Sequence, residues 1–135
     1  MMIPDPTTPF DGPKSQDERR SLALMVTRLF DHWQLTTKDA LMLLGLSTGN
    51  RAALAGYRKG KPLGNNRDLF DRVSYLLGIH KSLRLIFSKN RDLAYRWMST
   101  PNRRLDDVSP VEFVSAKGLP GLAALRGLLD FERGR

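Results

Sequence analysis

Apolar residues in this chain recur at helical spacing and nowhere at strand spacing. Leu22, Met25, Val26, Leu29, Phe30 and Trp33 fall at i, i+3 and i+4 intervals, which places all six on one face of a helix and leaves the opposite face polar. Ser15-Gln16-Asp17-Glu18 precedes them as a capping box, so the helix is predicted to open at Ser15. No alternating apolar stretch of useful length occurs anywhere, and Gly45, Gly60, Gly78 and Gly118 separate the segments as stop signals. The expected fold class is all-α.

Residues 1–14 contain Pro4, Pro6, Pro9 and Pro13, too many for a helix or a central strand, and read as a proline-rich flexible arm. After the first helix, Thr36 or Thr37 caps a short second one carrying Ala40, Leu41, Leu43 and Leu44, which Gly45 ends. Leu46 then reads as a buried hinge residue, and Ser47 as the cap of a basic helix from Thr48 to Lys59. Two short helices joined by a glycine-containing turn form a helix-turn-helix, whose second helix can enter a major groove. Asn66 caps a helix with Leu69, Phe70, Val73, Leu76 and Leu77 that Gly78 is expected to close, with Ile79 to Phe87 as a separate short helix. Ser88 to Met98 is expected to turn Leu93, Ala94, Trp97 and Met98 inward before Pro101 breaks it. Ser109, Pro110 and Glu112 restart the chain as a helix, and a last one from Gly121 to about Glu132 buries Leu122, Leu125, Leu128 and Leu129. The expected division is 15–87 for DNA binding and dimerisation and 88–135 for a second helical unit.

At 135 residues the chain suits one domain, or two small helical units sharing a core. It has no apolar run near the ~20 residues of a membrane span. The first residues show neither a basic n-region nor an apolar h-region, which points to a cytoplasmic protein. With no cysteine there are no disulfides, thiolate metal sites or cysteine nucleophiles. His32 and His80 lie on different predicted helices without a nearby carboxylate at metal-ligand spacing, and no glycine-rich phosphate loop is present. Asp106-Asp107 reads as a turn and helix-start pair. No metal, cofactor or catalysis is expected.

The net charge of +8 points to an anionic partner, and its distribution says more than its sum. From Ala40 to Arg67 there is no acidic residue, while Arg51, Arg58, Lys59, Lys61 and Arg67 all fall there. Ser47, Thr48, Asn50 and Arg51 stand at the start of the basic helix, where arginine can pair bidentately with guanine and asparagine with adenine. Tyr57, Arg58, Lys59 and Lys61 follow at positions suited to phosphates. A three-helix core with a merely solvated basic face is the competing reading of the same pattern.

The runs LLGLS, NRDLFDRVSYLLGIHKSLRLIF, WMSTPN, SPVEFV and GLAALRGLLD occur in order between Leu43 and Asp130. Together they resemble the MbcA/ParS/Xre antitoxin family, and the likeness extends over about Leu35 to Arg135. That resemblance implies an Xre-like helix-turn-helix part and a C-terminal helical part that binds a RES-domain toxin. Such toxins resemble ADP-ribosyltransferases and deplete NAD; the antitoxin covers their active site and, as a DNA-binding homodimer, represses its own operon, also within higher-order complexes with the toxin. In this frame Trp97 and Phe113 are core residues, and family members often carry a glycine pair where this chain has Asp106-Asp107. The expected toxin-binding residues are Asn102, Arg103 and Arg104 in the loop and Lys117, Arg126, Asp130, Glu132, Arg133 and Arg135 along and beyond the last helix. Guanidinium groups there suit a polar substrate cleft. The alternative is a free-standing helix-turn-helix regulator whose C-terminal half only dimerises.

Overall fold

Ser15 opens the first helix as its sequence predicts. In the computed structural model, which describes residues 14–134, its hydroxyl accepts from the Glu18 N–H (3.1 Å) at the start of α1 (Gln16–His32). The proline-rich arm, apart from Lys14, and Arg135 lie outside the described residues. Thr36, rather than Thr37, caps α2 (Thr37–Leu43) by accepting from Asp39 N–H. Gly45 follows at φ 72°, a left-handed turn that also leaves room for Arg72, whose Nε would stand 2.6 Å from a Cβ at that position.

The next helix differs from expectation. It is α3 (Arg51–Arg58) and does not begin at Thr48, because the Ser47 hydroxyl accepts from the Asn50 side-chain amide (3.2 Å) instead of capping a backbone N–H. Asn50 N–H donates to the Ser47 carbonyl, so Ser47 to Asn50 form a turn in which Gly49 carries its low helix propensity at no cost.

A single helix, α4 (Arg67–Ile86), capped by Asn66, corrects the expected break at Gly78. Gly78 is buried inside it, and its missing side chain makes space for Arg126: a Cβ there would lie 1.7 Å from Nη1. The glycine serves a helix crossing, not a helix end.

After α4, Asn90 caps α5 (Arg91–Arg96), which tightens into a 3-10 turn at Trp97–Ser99 before Pro101. The helix expected from Ser88 is thus shorter. A second 3-10 turn, Arg103–Leu105, leads through Asp106 and Asp107, both left-handed at φ 58° and 67°, into α6 (Pro110–Lys117). At Ser109 both halves of the capping box form. Gly118, also at positive φ, separates α6 from α7 (Leu119–Arg133), which starts two residues earlier than expected with Pro120 in its first turn. No strand occurs among the described residues; Asn102 and Val108 make an isolated antiparallel bridge.

One continuous core joins both expected units. Phe30 of α1, Trp33 just after it, Leu41 and Leu43 of α2, Leu76 and Ile79 of α4, Met98, Val114, and Leu122 and Leu125 of α7 all belong to it. α4 is the shared spine, packing on α1 from one side and along α7 from the other. Met25 and Leu93, expected inside, are 41% and 42% exposed, while Leu46, Trp97 and Phe113 are half-buried against the core and Leu128 is half-buried. Met25 lies at the edge of the α1 stripe, where a helical period of 3.6 carries a residue past the contact.

Candidate functional site

The helix-turn-helix is built by α2 and α3, with α1 behind them. Arg19 fastens the loop after α3 to α1: its Nη1 donates to the Leu63 carbonyl (2.9 Å), and its own carbonyl accepts from Leu63 N–H. Arg20 adds a bond to the Gly60 carbonyl (3.1 Å). These contacts fix the angle at which α3 leaves the body. Thr48, Asn50 and Arg51 are exposed at its leading end, with Ser47 beside them in the turn.

The residues expected on phosphates part company. Lys59 is exposed at the end of α3, and Lys61 is exposed at its head while its stem lies against Gly56. Arg58 is ion-paired with Asp31 of α1. Tyr57 is buried and its hydroxyl accepts from Gly64 N–H (3.4 Å), so it packs the loop and does not stand on the basic face.

At the other end, the expected toxin-binding residues form two groups. Arg126 lies across Gly78 and donates to Asp130 (3.3 Å); Ser82 of α4 bonds Asp130 (3.5 Å) and accepts from Arg133 Nη1 (3.3 Å). This network seats α7 on α4. The second group lies around the 3-10 turn: Asn102 accepts from Arg104 N–H (2.9 Å), and Arg104 is ion-paired with Glu132. Arg103 is exposed beside it, and Lys117 is exposed at the end of α6, away from both groups in sequence. Trp97 and Leu128, expected in the core, line a groove with Ile86 and Phe87 next to Arg104 and Glu132. Their half-burial carries that signal, and half-burial is not readable from helical periodicity.

Between the two ends, Tyr95 of α5 stacks on His32 of α1 (ring centroids 4.8 Å, 13°) and lies 6.1 Å from the parallel ring of His80 on α4. Arg84 donates to the Tyr95 hydroxyl (3.1 Å). Burial, then the charges of Arg84 and His32, hold the His80 imidazole below its ordinary pKa. A hollow of about 570 Å³ lies beside the stack, but its two carboxylates are already engaged, Asp31 by Arg58 and Asp92 by Arg96. Among the described residues no group of three or more His, Asp or Glu side chains is placed to hold a metal ion. No described helix is long and apolar enough to cross a membrane.

A helix-turn-helix is thus joined through α4 to a second helical unit, with an exposed basic helix on the first and a partly apolar groove on the second. Residues 13–78 match the antitoxin Xre-like helix-turn-helix domain, and residues 82–135 match the antitoxin Xre/MbcA/ParS C-terminal toxin-binding domain. The chain belongs to the Xre/MbcA/ParS antitoxin family, and its partner is a toxin. It is also similar to the uncharacterized protein y4oB of Sinorhizobium fredii, 30% identical over 107 residues that cover 79% of this chain and 80% of the relative.

Proposed function

We propose that this antitoxin neutralises a NAD-depleting RES-domain toxin by covering its active site, and that it represses its own operon as a cytoplasmic homodimer and within larger complexes with the toxin. The observation that carries the reading is the pairing, on one chain, of the helix-turn-helix match with the toxin-binding match. The geometry supports it: α3 packs on α1 and α2, and α7 packs on α4 and α6, so each part keeps a surface of its own. Thr48, Asn50 and Arg51 read operator bases, and Lys59 and Lys61 hold phosphates. Residues 15–87 supply DNA binding and dimerisation, and 88–135 supply toxin binding. The chain works by contact and not by turnover.

Co-expression with the neighbouring toxin gene, followed by pull-down and measurement of cellular NAD, tests the reading. The expected result is a copurifying complex and NAD restored to the level of toxin-free cells. A toxin that copurifies but leaves NAD unchanged when expressed without the antitoxin would remove the RES assignment. The fate of the tail is tested in the same assay: removing residues 132–135 should leave operator binding intact while toxin activity returns.

A further inference from the structure

The helices α4 and α7 run parallel, because Gly78 meets Arg126 and, one turn on, Ser82 meets Asp130 and Arg133. Both therefore finish at the same end of the molecule. The two most exposed large apolar side chains among the described residues stand there: Phe131 at 64% in the last turn of α7, and Leu85 at 53% in the last turn of α4. Between the helix ends, a groove of about 190 Å³ is walled by Ile86, Phe87, Trp97 and Leu128 and edged by Arg104 and Glu132. Phe131 follows Leu128 at i+3, which puts it beside the groove's mouth.

We propose that the toxin docks on this end of the antitoxin, inserting an apolar side chain into the groove between α4, α7 and the Arg103–Leu105 turn. The volume suits a side chain, being smaller than the roughly 300–1,000 Å³ of small-molecule sites. The occupant follows from position and charge. Every wall of the groove lies within residues 82–135, which match the toxin-binding domain, and none lies in the helix-turn-helix match. Arg104 lines it, paired with Glu132, its one carboxylate among the described residues, and Arg103 next in the chain is exposed, so the apolar anchor is flanked by a carboxylate on the toxin that shares Arg104 or takes Arg103. Half-buried apolar walls that include Phe87 and Trp97, rimmed by Arg104 and Glu132, have the composition of an interface hot spot. The binding energy thus comes from this apolar end, and the Arg126–Asp130–Ser82–Arg133 network serves to hold it in shape.

The inference rests on the toxin-binding assignment of residues 82–135 and on none of the RES or NAD chemistry. Its test uses the full chain co-expressed with the toxin encoded beside it, with affinity read by calorimetry, assembly by size-exclusion chromatography and folding by circular dichroism. Phe131→Asp and Leu128→Asp should each weaken toxin binding by about tenfold or more while operator binding persists. Leu93→Asp, on the exposed side of α5, should bind as wild type. Should Leu128→Asp fail to fold, Phe131→Asp still decides, since that side chain is largely in solvent. Wild-type affinity in folded groove variants overturns the proposal, as does loss of self-association without loss of toxin, which would give the groove to a second copy. A wild-type chain that captures no toxin would instead strike the toxin-binding reading itself, and the groove with it.

Discussion

The guanidinium of Arg126 occupies the space that a side chain at Gly78 would take, 1.7 Å from an ideal Cβ, and so locks α7 against the middle of α4. In an ordinary helix interior, alanine at such a position stabilises by about 1 kcal/mol over glycine. Here that gain is offset by the displacement of Arg126 from Asp130. Gly78→Ala should therefore stabilise little or not at all in the wild-type background, and by about 1 kcal/mol in an Arg126→Ala background. Urea unfolding of the four proteins of the cycle checks this; additive effects would mean that the two positions are not coupled.

The same pair shows where sequence reading stops. Caps are local, and Ser15, Thr36, Asn66 and Ser109 each bond within three residues, so their helix starts were legible. Gly78 looks like a stop signal because its partner lies 48 residues away. Ser47 looks like a cap because its hydroxyl has two available local partners, and the side chain of Asn50 wins over a backbone N–H. Tyr57 reads as a basic-face residue until the loop that wraps it, ending in Gly64, is seen. The groove draws its walls from α4, α7 and the two 3-10 turns, so no single stretch announces it.

His80 should make stability depend on pH. Burial and the neighbouring Arg84 and His32 depress its folded pKa below 6.5, with Arg28 of α1 and Tyr95 of α5 lining the same recess. Below pH 6.5 the unfolded chain binds this proton more readily than the folded one, so the stabilisation is complete above pH 6.5 and is lost as pH falls below it. Thermal unfolding from pH 8 to 5 should show a decline that is shallower in His80→Gln. Parallel curves for the two proteins would exclude His80 as the source.

On DNA, Arg51 and Lys59 should fail differently. Arg51 is exposed at the start of α3, and Arg51→Ala should cost roughly 1–3 kcal/mol on the operator with loss of discrimination at one base pair. Lys59 closes the helix, and Lys59→Ala should weaken all duplexes alike and reduce the salt slope by about one. Titrations on matched and mismatched duplexes at several salt concentrations separate the two. An Arg51→Ala protein that binds every duplex as wild type does would place the recognition residues elsewhere.

The two functions should not separate into two folding units at Phe87 and Ser88. α4 carries the core on both of its flanks, and removing residues 88–135 strips it of Ala94, Met98, Val111, Val114, Leu122, Leu125 and Leu129, all buried. At about 1.5–3 kcal/mol for each fully buried large side chain, the three leucines alone approach the net stability of a small domain, about 5–15 kcal/mol. The cut also leaves the α4 face around Gly78 and Ser82 bare, with the Ser82 hydroxyl stripped of Asp130 and Arg133 in a 20-residue helix. A chain of residues 1–87 should accordingly lose cooperative thermal unfolding and specific operator binding together. Leu125→Asp in the full chain, which wounds the same contact without deleting any element, should lower the unfolding midpoint and weaken both toxin and operator binding. Circular dichroism melts and operator titrations of both proteins are the measurement. A cooperative transition with operator binding in residues 1–87 would show that α1 to α4 stand alone, and that α7 serves the toxin without supporting the helix-turn-helix.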